Sequence, residues 1–169
     1  LHLSLRRQRQ MCIRDSTLNL KEDPDLATLR ELVKRADVLV ENFRPGVMEK
    51  LGISPESLME LNPQLIVTSI SGFGQTGSMS KAPAYDLVAQ AMSGIMSITG
   101  WPGGRPTRVG ISLGDLIPGL YGAIGTLGAL QERHRTGYGQ HVDVAMFDSL
   151  VSILELSLIH ISEPTRLGM

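Results

Sequence analysis

The stretch LIVTSISGFGQTG, residues 65–77, decides the fold. Its first half, residues 65–70, is rich in β-branched side chains, a composition typical of a buried strand. The strand runs directly into a loop that holds Gly72, Gly74 and Gly77, and glycine permits the backbone conformations that a sharp turn requires. This stretch therefore predicts a buried strand that ends in a tight turn.

Helices and short strands alternate before this stretch. Residues 25–35 have leucines at helical spacing, and DVLVE at residues 37–41 predicts a short buried strand that ends in the turn NFRPG, residues 42–46. Ser54 followed by Pro55 is a strong signal for the start of a helix.

The same alternation continues after the stretch. We expect a helix over residues 84–98, a short strand at RVGIS (residues 108–112), a long helix over residues 116–135 and a strand over residues 140–147. Gly137 is placed to end the long helix. Strands separated by helices predict an α/β fold with a mostly parallel sheet.

The long helix contains the longest uncharged apolar run, residues 116–130. This run is shorter than the roughly 20 residues that span a bilayer, so we predict a buried core helix. Glycine recurs along it at every third position, which predicts a surface that another backbone can approach closely; the positions are Gly119, Gly122, Gly125 and Gly128.

The two ends of the chain hold peptides that are complementary readings of one DNA segment. LSLIHI at residues 156–161 can be encoded by CTG TCT CTT ATA CAC ATC. The reverse complement of the first seventeen of these bases, ATG TGT ATA AGA GAC AG, encodes MCIRD and the start of a serine codon. MCIRDS stands at residues 11–16. Both ends also resemble translated sequencing adapters, so we predict that residues 1–16 and 156–169 are an artefact and that residues 17–155 form the domain.

The charge balance changes when those ends are set aside. The whole sequence has 16 Lys and Arg against 17 Asp and Glu, and residues 17–155 keep 11 and 15 of them respectively. The basic cluster near the start thus gives no support for a nucleic-acid or membrane partner. The single cysteine, Cys12, also lies in the excluded part, which leaves no disulfide framework and fits a cytoplasmic protein.

Two motifs are candidates for nucleotide binding. GFGQTG at residues 72–77 has the dinucleotide-binding spacing, but Pro83 delays the helix that should open on the loop, so a simple turn is the stronger interpretation. The turn with Asn42, Phe43 and Arg44 suits a nucleotide-like ligand, because Phe can stack on a base and Arg can hold phosphate. A solvated turn explains it equally well.

Asp115, at the start of the long helix, is the candidate for chemistry. It is either a plain helix cap or an ionised carboxylate in a partly dry site. Such a carboxylate can attack an activated acyl group, and neighbouring glycine amides can stabilise the resulting oxyanion. His134 and His141 do not have metal-ligand spacing, so we predict no metal. No serine-hydrolase triad is present in the sequence, so we do not predict a serine hydrolase.

Five segments together resemble the family III CoA-transferases, which include formyl-CoA and carnitine-CoA transferases. The segments are ADVLVENFRPGVMEKLG, LIVTSISGFGQTG, AYDLVAQAMSG, RVGISLGDLIPGLYGAIGTLGAL and RHRTGYGQHVDVAMFDS. The resemblance runs in unbroken order through residues 17–155. It implies a fragment of a Rossmann-like large domain, from a protein that forms interlocked homodimers.

The resemblance also assigns roles to residues. Asp115 matches the aspartate that forms a mixed anhydride with the acyl group and then a thioester with CoA. The positions that match CoA contacts are Leu18, Lys21, Asn42, Phe43, Arg44, Lys50, Tyr85 and Asp86. The implied substrates are an acyl-CoA and a carboxylic acid, which the sequence does not identify.

Three alternatives stay open. The same family contains α-methylacyl-CoA racemases, which use a histidine where this chain has Tyr85; tyrosine is a poor general base near neutral pH. The chain by itself is also expected to be an inactive fragment, because parts of the family's site lie outside it. A dinucleotide-dependent oxidoreductase is the most distant alternative.

Overall fold

The structure, a computed structural model, describes residues 13–154. At its centre lies a sheet formed by β1 (Val38–Glu41), β2 (Ile66–Ser71) and β3 (His141–Ala145). The three strands are parallel, and β2 lies between the other two. The predicted α/β fold with a mostly parallel sheet is confirmed. Most of the predicted artefact, residues 1–12 and 156–169, lies outside the described residues.

Helices precede, connect and follow the strands. They are α1 (Asp23–Val33), α2 (Val47–Lys50), α3 (Pro55–Leu61), α4 (Asp86–Met92), α5 (Leu113–Thr136) and α6 (Met146–Ser152), with a 3-10 turn at Ile95–Ser97. The chain passes from β1 through α2 and α3 to β2, and from β2 through α4 and α5 to β3. Parallel neighbours require such crossovers, because a hairpin would reverse the strand direction.

Two predicted helix ends are confirmed by local geometry. The Ser54 side chain accepts a hydrogen bond from the backbone N–H of Ser57, so it caps α3 as predicted. Gly137 follows α5 with a φ of 80°, and its N–H donates to the carbonyl of Arg133. A left-handed residue at this position is a common way to end a helix.

Two other predictions were wrong in detail. Residues 108–112 form a loop and not a strand, because the N–H of Val109 donates to the side chain of Gln90 and no strand lies beside it in residues 13–154. The helix predicted over residues 84–98 is divided at Gly94, whose φ of 89° is incompatible with a continuous helix.

The apolar side chains form two clusters on the sheet and its helices. The first, around α1, α3 and β2, contains Val33, Met48, Ile53, Leu58, Leu65 and Val67. The second joins α4 to α6 and contains Ala89, Ile95, Met146 and Leu150. Because α6 starts directly after β3, the second cluster fixes α4 close to the carboxyl end of the sheet.

The long helix α5 is buried on one face only, so the prediction of a core helix is half correct. A Cβ atom on Gly125 would lie 2.8 Å from Cγ1 of Val142, and one on Gly122 would lie 3.2 Å from Cδ1 of Ile70. These two glycines allow α5 to approach β2 and β3. A Cβ on Gly119 or Gly128 would meet nothing within 4 Å among the described residues, so the close-packing prediction fails there.

The other face of α5 is apolar and exposed. Its exposed side chains are Leu116, Leu120, Ile124 and Leu127, each between 54% and 66% accessible. Among residues 13–154, α5 is long and apolar enough to cross a membrane by length and composition alone. Its glycine face nevertheless packs on the sheet, as in the core helix of a globular domain.

Candidate active site

The carboxyl ends of all three strands meet at one cavity of about 520 Å³. The loop after β1, the end of β2 and the first residue of α6 contribute to its wall, together with the segment before α4 and the start of α5. The lining residues are Asn42, Phe43, Arg44, Pro45, Ile70, Ser71, Gly72, Ala82, Pro83, Ala84, Tyr85, Asp115, Pro118, Gly119 and Met146. Ligands of parallel α/β sheets commonly bind outside the carboxyl ends of the strands, so this cavity is the candidate active site.

The turn after β1 is held by two short side-chain hydrogen bonds. The buried carboxylate of Glu41 accepts a bond of 2.6 Å from the N–H of Phe43. The side-chain amide of Asn42 donates a bond of 2.6 Å to the carbonyl of Ile70 on the neighbouring strand. Asn42 therefore fixes the turn, and Phe43 and Arg44 are left exposed at the cavity wall.

The segment before α4 contacts the loop after β2 because residue 72 is glycine. A Cβ atom on Gly72 would overlap with Cβ of Ala84, because the two would lie closer than non-bonded carbon atoms can approach. This contact places Tyr85, whose ring is 69% exposed, at the same cavity.

The glycine-rich loop, residues 72–77, is a turn, which is the interpretation that its sequence favoured over a dinucleotide-binding loop. Gly74 and Gly77 have φ values of 81° and 90°, which L side chains rarely adopt. The N–H of Gln75 donates to the carboxylate of Asp143. No helix opens on the loop, since α4 begins only at Asp86, so the geometry expected of a dinucleotide site is missing here.

Asp115 lies in the first turn of α5, where the helix dipole favours a negative charge. It is not the cap, because Ser112 occupies that position. Its side chain has no hydrogen-bond partner among residues 13–154 and is exposed, which differs from the partly dry site expected from the sequence. The carboxylate is thus free to meet a substrate in the cavity.

Asp86 has a different environment. Its carboxylate accepts hydrogen bonds from the side chain of Gln90 at 2.7 Å, from the backbone N–H of Gly114 at 2.8 Å, and from Arg108 at 2.6 and 3.1 Å. Burial by itself raises the pKa of Asp86, but these bonds and the Arg108 charge outweigh it, so the pKa lies below the ordinary value.

The hydrogen bonds of Asp86 hold α4 against the first turn of α5, which carries Asp115. Its side chain is 12% exposed and does not line the cavity. The sequence suggested that glycine amides beside Asp115 stabilise an oxyanion. The N–H of Gly114 donates to Asp86, so this amide is not available for that role.

The structure thus brings Asn42, Phe43, Arg44, Tyr85 and Asp115 together, and it does not bring every predicted residue to the cavity. Lys50, at the end of α2, lies outside the wall, as do two residues that precede α1, Leu18 and Lys21.

Sequence reasoning missed Ser71, Pro118 and Met146 as lining residues. For Ser71 a signal existed, since it is the polar last residue of a buried parallel strand.

Within residues 13–154, no three His, Cys, Asp or Glu side chains are grouped so that they could hold a metal ion.

The fold and this cavity define an α/β protein with an exposed carboxylate at the carboxyl ends of its parallel strands. The sequence matches CoA-transferase family III over residues 11–166, and the chain belongs to that family.

Named relatives agree with this assignment. The chain is 52% identical over 156 residues to the acetyl-CoA:oxalate CoA-transferase of Acetobacter aceti, covering 89% of the chain and 40% of the relative. It is 47% identical over 163 residues to the succinyl-CoA:mesaconate CoA-transferase of Haloarcula marismortui, covering 92% and 41%. The chain therefore spans about two fifths of the length of these curated relatives.

A solved structure shares the fold. A CAIB/BAIF family protein from Brucella suis matches with a TM-score of 0.84 and 39% sequence identity, over 89% of this chain and 41% of the other. The described α/β unit is thus a part of the larger fold that this family adopts.

Proposed function

We propose that the protein containing this chain transfers coenzyme A from an acyl-CoA thioester to a carboxylic acid, with Asp115 as the nucleophile. The observation that carries the proposal is the carboxylate of Asp115, which has no hydrogen-bond partner among residues 13–154 and lines the same cavity as Phe43, Arg44 and Tyr85. A carboxylate without a hydrogen-bond partner keeps its lone pairs free for attack.

The reaction proceeds through two kinds of covalent intermediate on Asp115, mixed anhydrides and a CoA thioester. The carboxylate attacks the thioester carbonyl carbon, and the C–S bond breaks to give a mixed anhydride and the CoA thiolate. The thiolate then attacks the aspartyl carbonyl carbon, which releases the donor acid and forms an aspartyl-CoA thioester. The acceptor carboxylate attacks that thioester, and the C–S bond breaks to give a second mixed anhydride and the CoA thiolate. The thiolate finally attacks the acceptor's acyl carbon, and the bond from that carbon to the aspartyl oxygen breaks, which releases the acceptor's acyl-CoA and restores Asp115.

The turn after β1 is suited to hold the nucleotide part of CoA. The Phe43 ring is 41% exposed and can stack on the adenine base. The exposed Arg44 guanidinium can bind phosphate through two parallel hydrogen bonds. Asn42 contributes indirectly, because its amide is bonded to Ile70 and keeps the turn in place.

We propose a short dicarboxylate as the acceptor acid. The two relatives above are named for oxalate and mesaconate, which are both dicarboxylates, and one further relative from Agrobacterium fabrum, 42% identical, is named succinate–glutarate CoA-transferase. The donors to try first are acetyl-CoA and succinyl-CoA.

The test is mass spectrometry on the full-length protein that contains this chain. The protein is incubated with each acyl-CoA in deuterated buffer, and intact-protein and peptide masses are recorded. We expect an adduct that maps to Asp115 and is absent in Asp115→Ala. A matched control is Asp148→Ala, which removes another exposed aspartate from the first turn of a helix, α6.

Three results would count against the proposal. An adduct that persists in Asp115→Ala would place the nucleophile elsewhere. Deuterium at the α-carbon of the acyl group without any adduct would instead identify a racemase. Loss of the adduct in Asp148→Ala would mean that the substitutions act through folding and not through chemistry.

We also propose that the full-length protein is a cytoplasmic homodimer. The exposed apolar face of α5 supports this proposal, because exposed apolar patches of this kind mark contact surfaces. The face would then be covered by another part of the protein or by a second subunit. Light scattering on the full-length protein should give the mass of a dimer, and Ile124→Lys should lower it if that face is the interface.

A further inference from the structure

Ser71 combines burial with an unpartnered hydroxyl at the cavity. Its side chain is 4% exposed, and its Oγ atom has no hydrogen-bond partner in the described part of the chain. It is the last residue of β2, the central strand, and it lines the cavity that Asp115 also lines. A buried hydroxyl without a partner is unfavourable for folding, so a partner that arrives with the substrate would explain why the serine is there.

A comparison within the same strand shows how unusual this is. Ser69, two residues earlier and therefore on the same face of the sheet, is equally buried, but its hydroxyl is bonded to Nε2 of His141 at 2.9 Å. Thr68 is bonded to Thr126 at 2.7 Å. The two buried hydroxyls that precede Ser71 in β2 are both paired with neighbours inside the protein.

The proposed reaction indicates which substrate atom would be the partner of the Ser71 hydroxyl. The reaction proposed above creates negative charge on the oxygen of the acyl carbonyl when Asp115 attacks it. Two other polar groups near the cavity are already engaged: the amide of Asn42 donates to Ile70, and the N–H of Gly114 donates to Asp86. The buried Ser71 hydroxyl has no such partner among the described residues, and Ser71 lines the same cavity.

We propose that the Ser71 hydroxyl donates a hydrogen bond to the oxygen of the acyl group that reacts with Asp115. This makes Ser71 a substrate-contacting residue that stabilises the oxyanion of the tetrahedral intermediate. The inference rests on the proposed function, since it needs an acyl group bound beside Asp115.

The experiment compares Ser71→Ala with Ser69→Ala in the full-length protein, and it measures both unfolding in urea without substrate and CoA-transfer kinetics. Ser71→Ala should be as stable as the unmodified protein or more stable, because it removes an unpaired buried hydroxyl. Its kcat should fall about 10- to 100-fold, the effect of losing one hydrogen bond to a charged oxygen, with a smaller change in KM.

A control and two conservative variants test whether the Ser71 hydroxyl itself is responsible for the effect on kcat. Ser69→Ala should lose stability, because it leaves His141 without its partner. Ser71→Thr keeps the hydroxyl and should retain much of kcat, and Ser71→Cys, a weak donor of similar size, should resemble Ser71→Ala.

Three outcomes would overturn the inference. If Ser71→Ala is destabilised as much as Ser69→Ala, its hydroxyl has a partner within the protein. If Ser71→Ala keeps the original kcat while Asp115→Ala is inactive, the proposed function stands and only the role of Ser71 fails. If Asp115→Ala is itself active, the proposed function fails first and the inference fails with it.

Discussion

Replacement of Asp86 by alanine is predicted to destabilise the protein and to loosen the turn that carries Asp115. The carboxylate accepts four hydrogen bonds, from Gln90, Gly114 and twice from Arg108. Removing it leaves the N–H of the buried Gly114 without an acceptor, which costs about 1–3 kcal/mol. Gln90 keeps its bond to the carbonyl of Ile111, and the half-exposed Arg108 regains water, so these two add at most about 1 kcal/mol.

The expected loss in the free energy of unfolding is therefore about 1–4 kcal/mol at neutral pH. Urea denaturation of the full-length protein, followed by circular dichroism, measures it. The matched control is Asp148→Ala, which also removes an aspartate from the first turn of a helix but breaks no hydrogen bond among the described residues. An exposed site of this kind should change stability by only about 0.5 kcal/mol.

The pH dependence gives an independent check. Because the pKa of Asp86 is lower in the folded protein than in the unfolded chain, where it is about 3.9, the ionised carboxylate stabilises the fold above that value. This stabilisation is lost as the pH falls through the lower, folded pKa. The difference between the unmodified protein and Asp86→Ala should accordingly be largest near pH 7 and shrink below about pH 4. Equal destabilisation by Asp86→Ala and Asp148→Ala, or a difference that does not depend on pH, would refute the reasoning.

Three further substitutions test the packing around the sheet. Gly139→Ala should prevent normal folding, because its Cβ would overlap with the carbonyl oxygen of Leu65; soluble expression and circular dichroism show this. Gly128→Ala should raise stability by up to about 1 kcal/mol, since nothing described lies near the added methyl group and alanine favours helix; a thermal melt without any gain would contradict it. Thr68→Val should cost about 1–2 kcal/mol by leaving the Thr126 hydroxyl unpaired, and adding Thr126→Val should recover part of that; a double-mutant cycle with no coupling would show that the bond is unimportant.

Local signals in the sequence were sufficient for most of the secondary structure. The β-branched run before Gly72 predicted β2, and Ser54 with Pro55 predicted the start of α3, because a cap and a proline act within one turn of helix. Where a prediction failed, a distant partner was responsible. Val109 was expected in a strand, but its N–H is bonded to Gln90, a contact that no local pattern reveals.

The candidate site was predictable in part. The sequence points to Asn42, Phe43, Arg44, Tyr85 and Asp115, and all five line one cavity. Their assigned roles as CoA contacts and nucleophile stay predictions, as do those of the residues outside the cavity wall.

The sequence by itself determined the alternation of helices and strands, the family, and the side chains able to do acyl chemistry, because each of these depends on residues close together in the chain or on their order. The tertiary structure alone decided which of those side chains share a cavity. It also showed that two aspartates have different surroundings. Asp86 accepts a hydrogen bond from the first turn of α5, 28 positions away in the sequence, whereas Asp115 has no partner among the described residues. It also exposed the unpaired hydroxyl of Ser71, since a missing hydrogen bond becomes visible only when every neighbour of a buried atom has been placed.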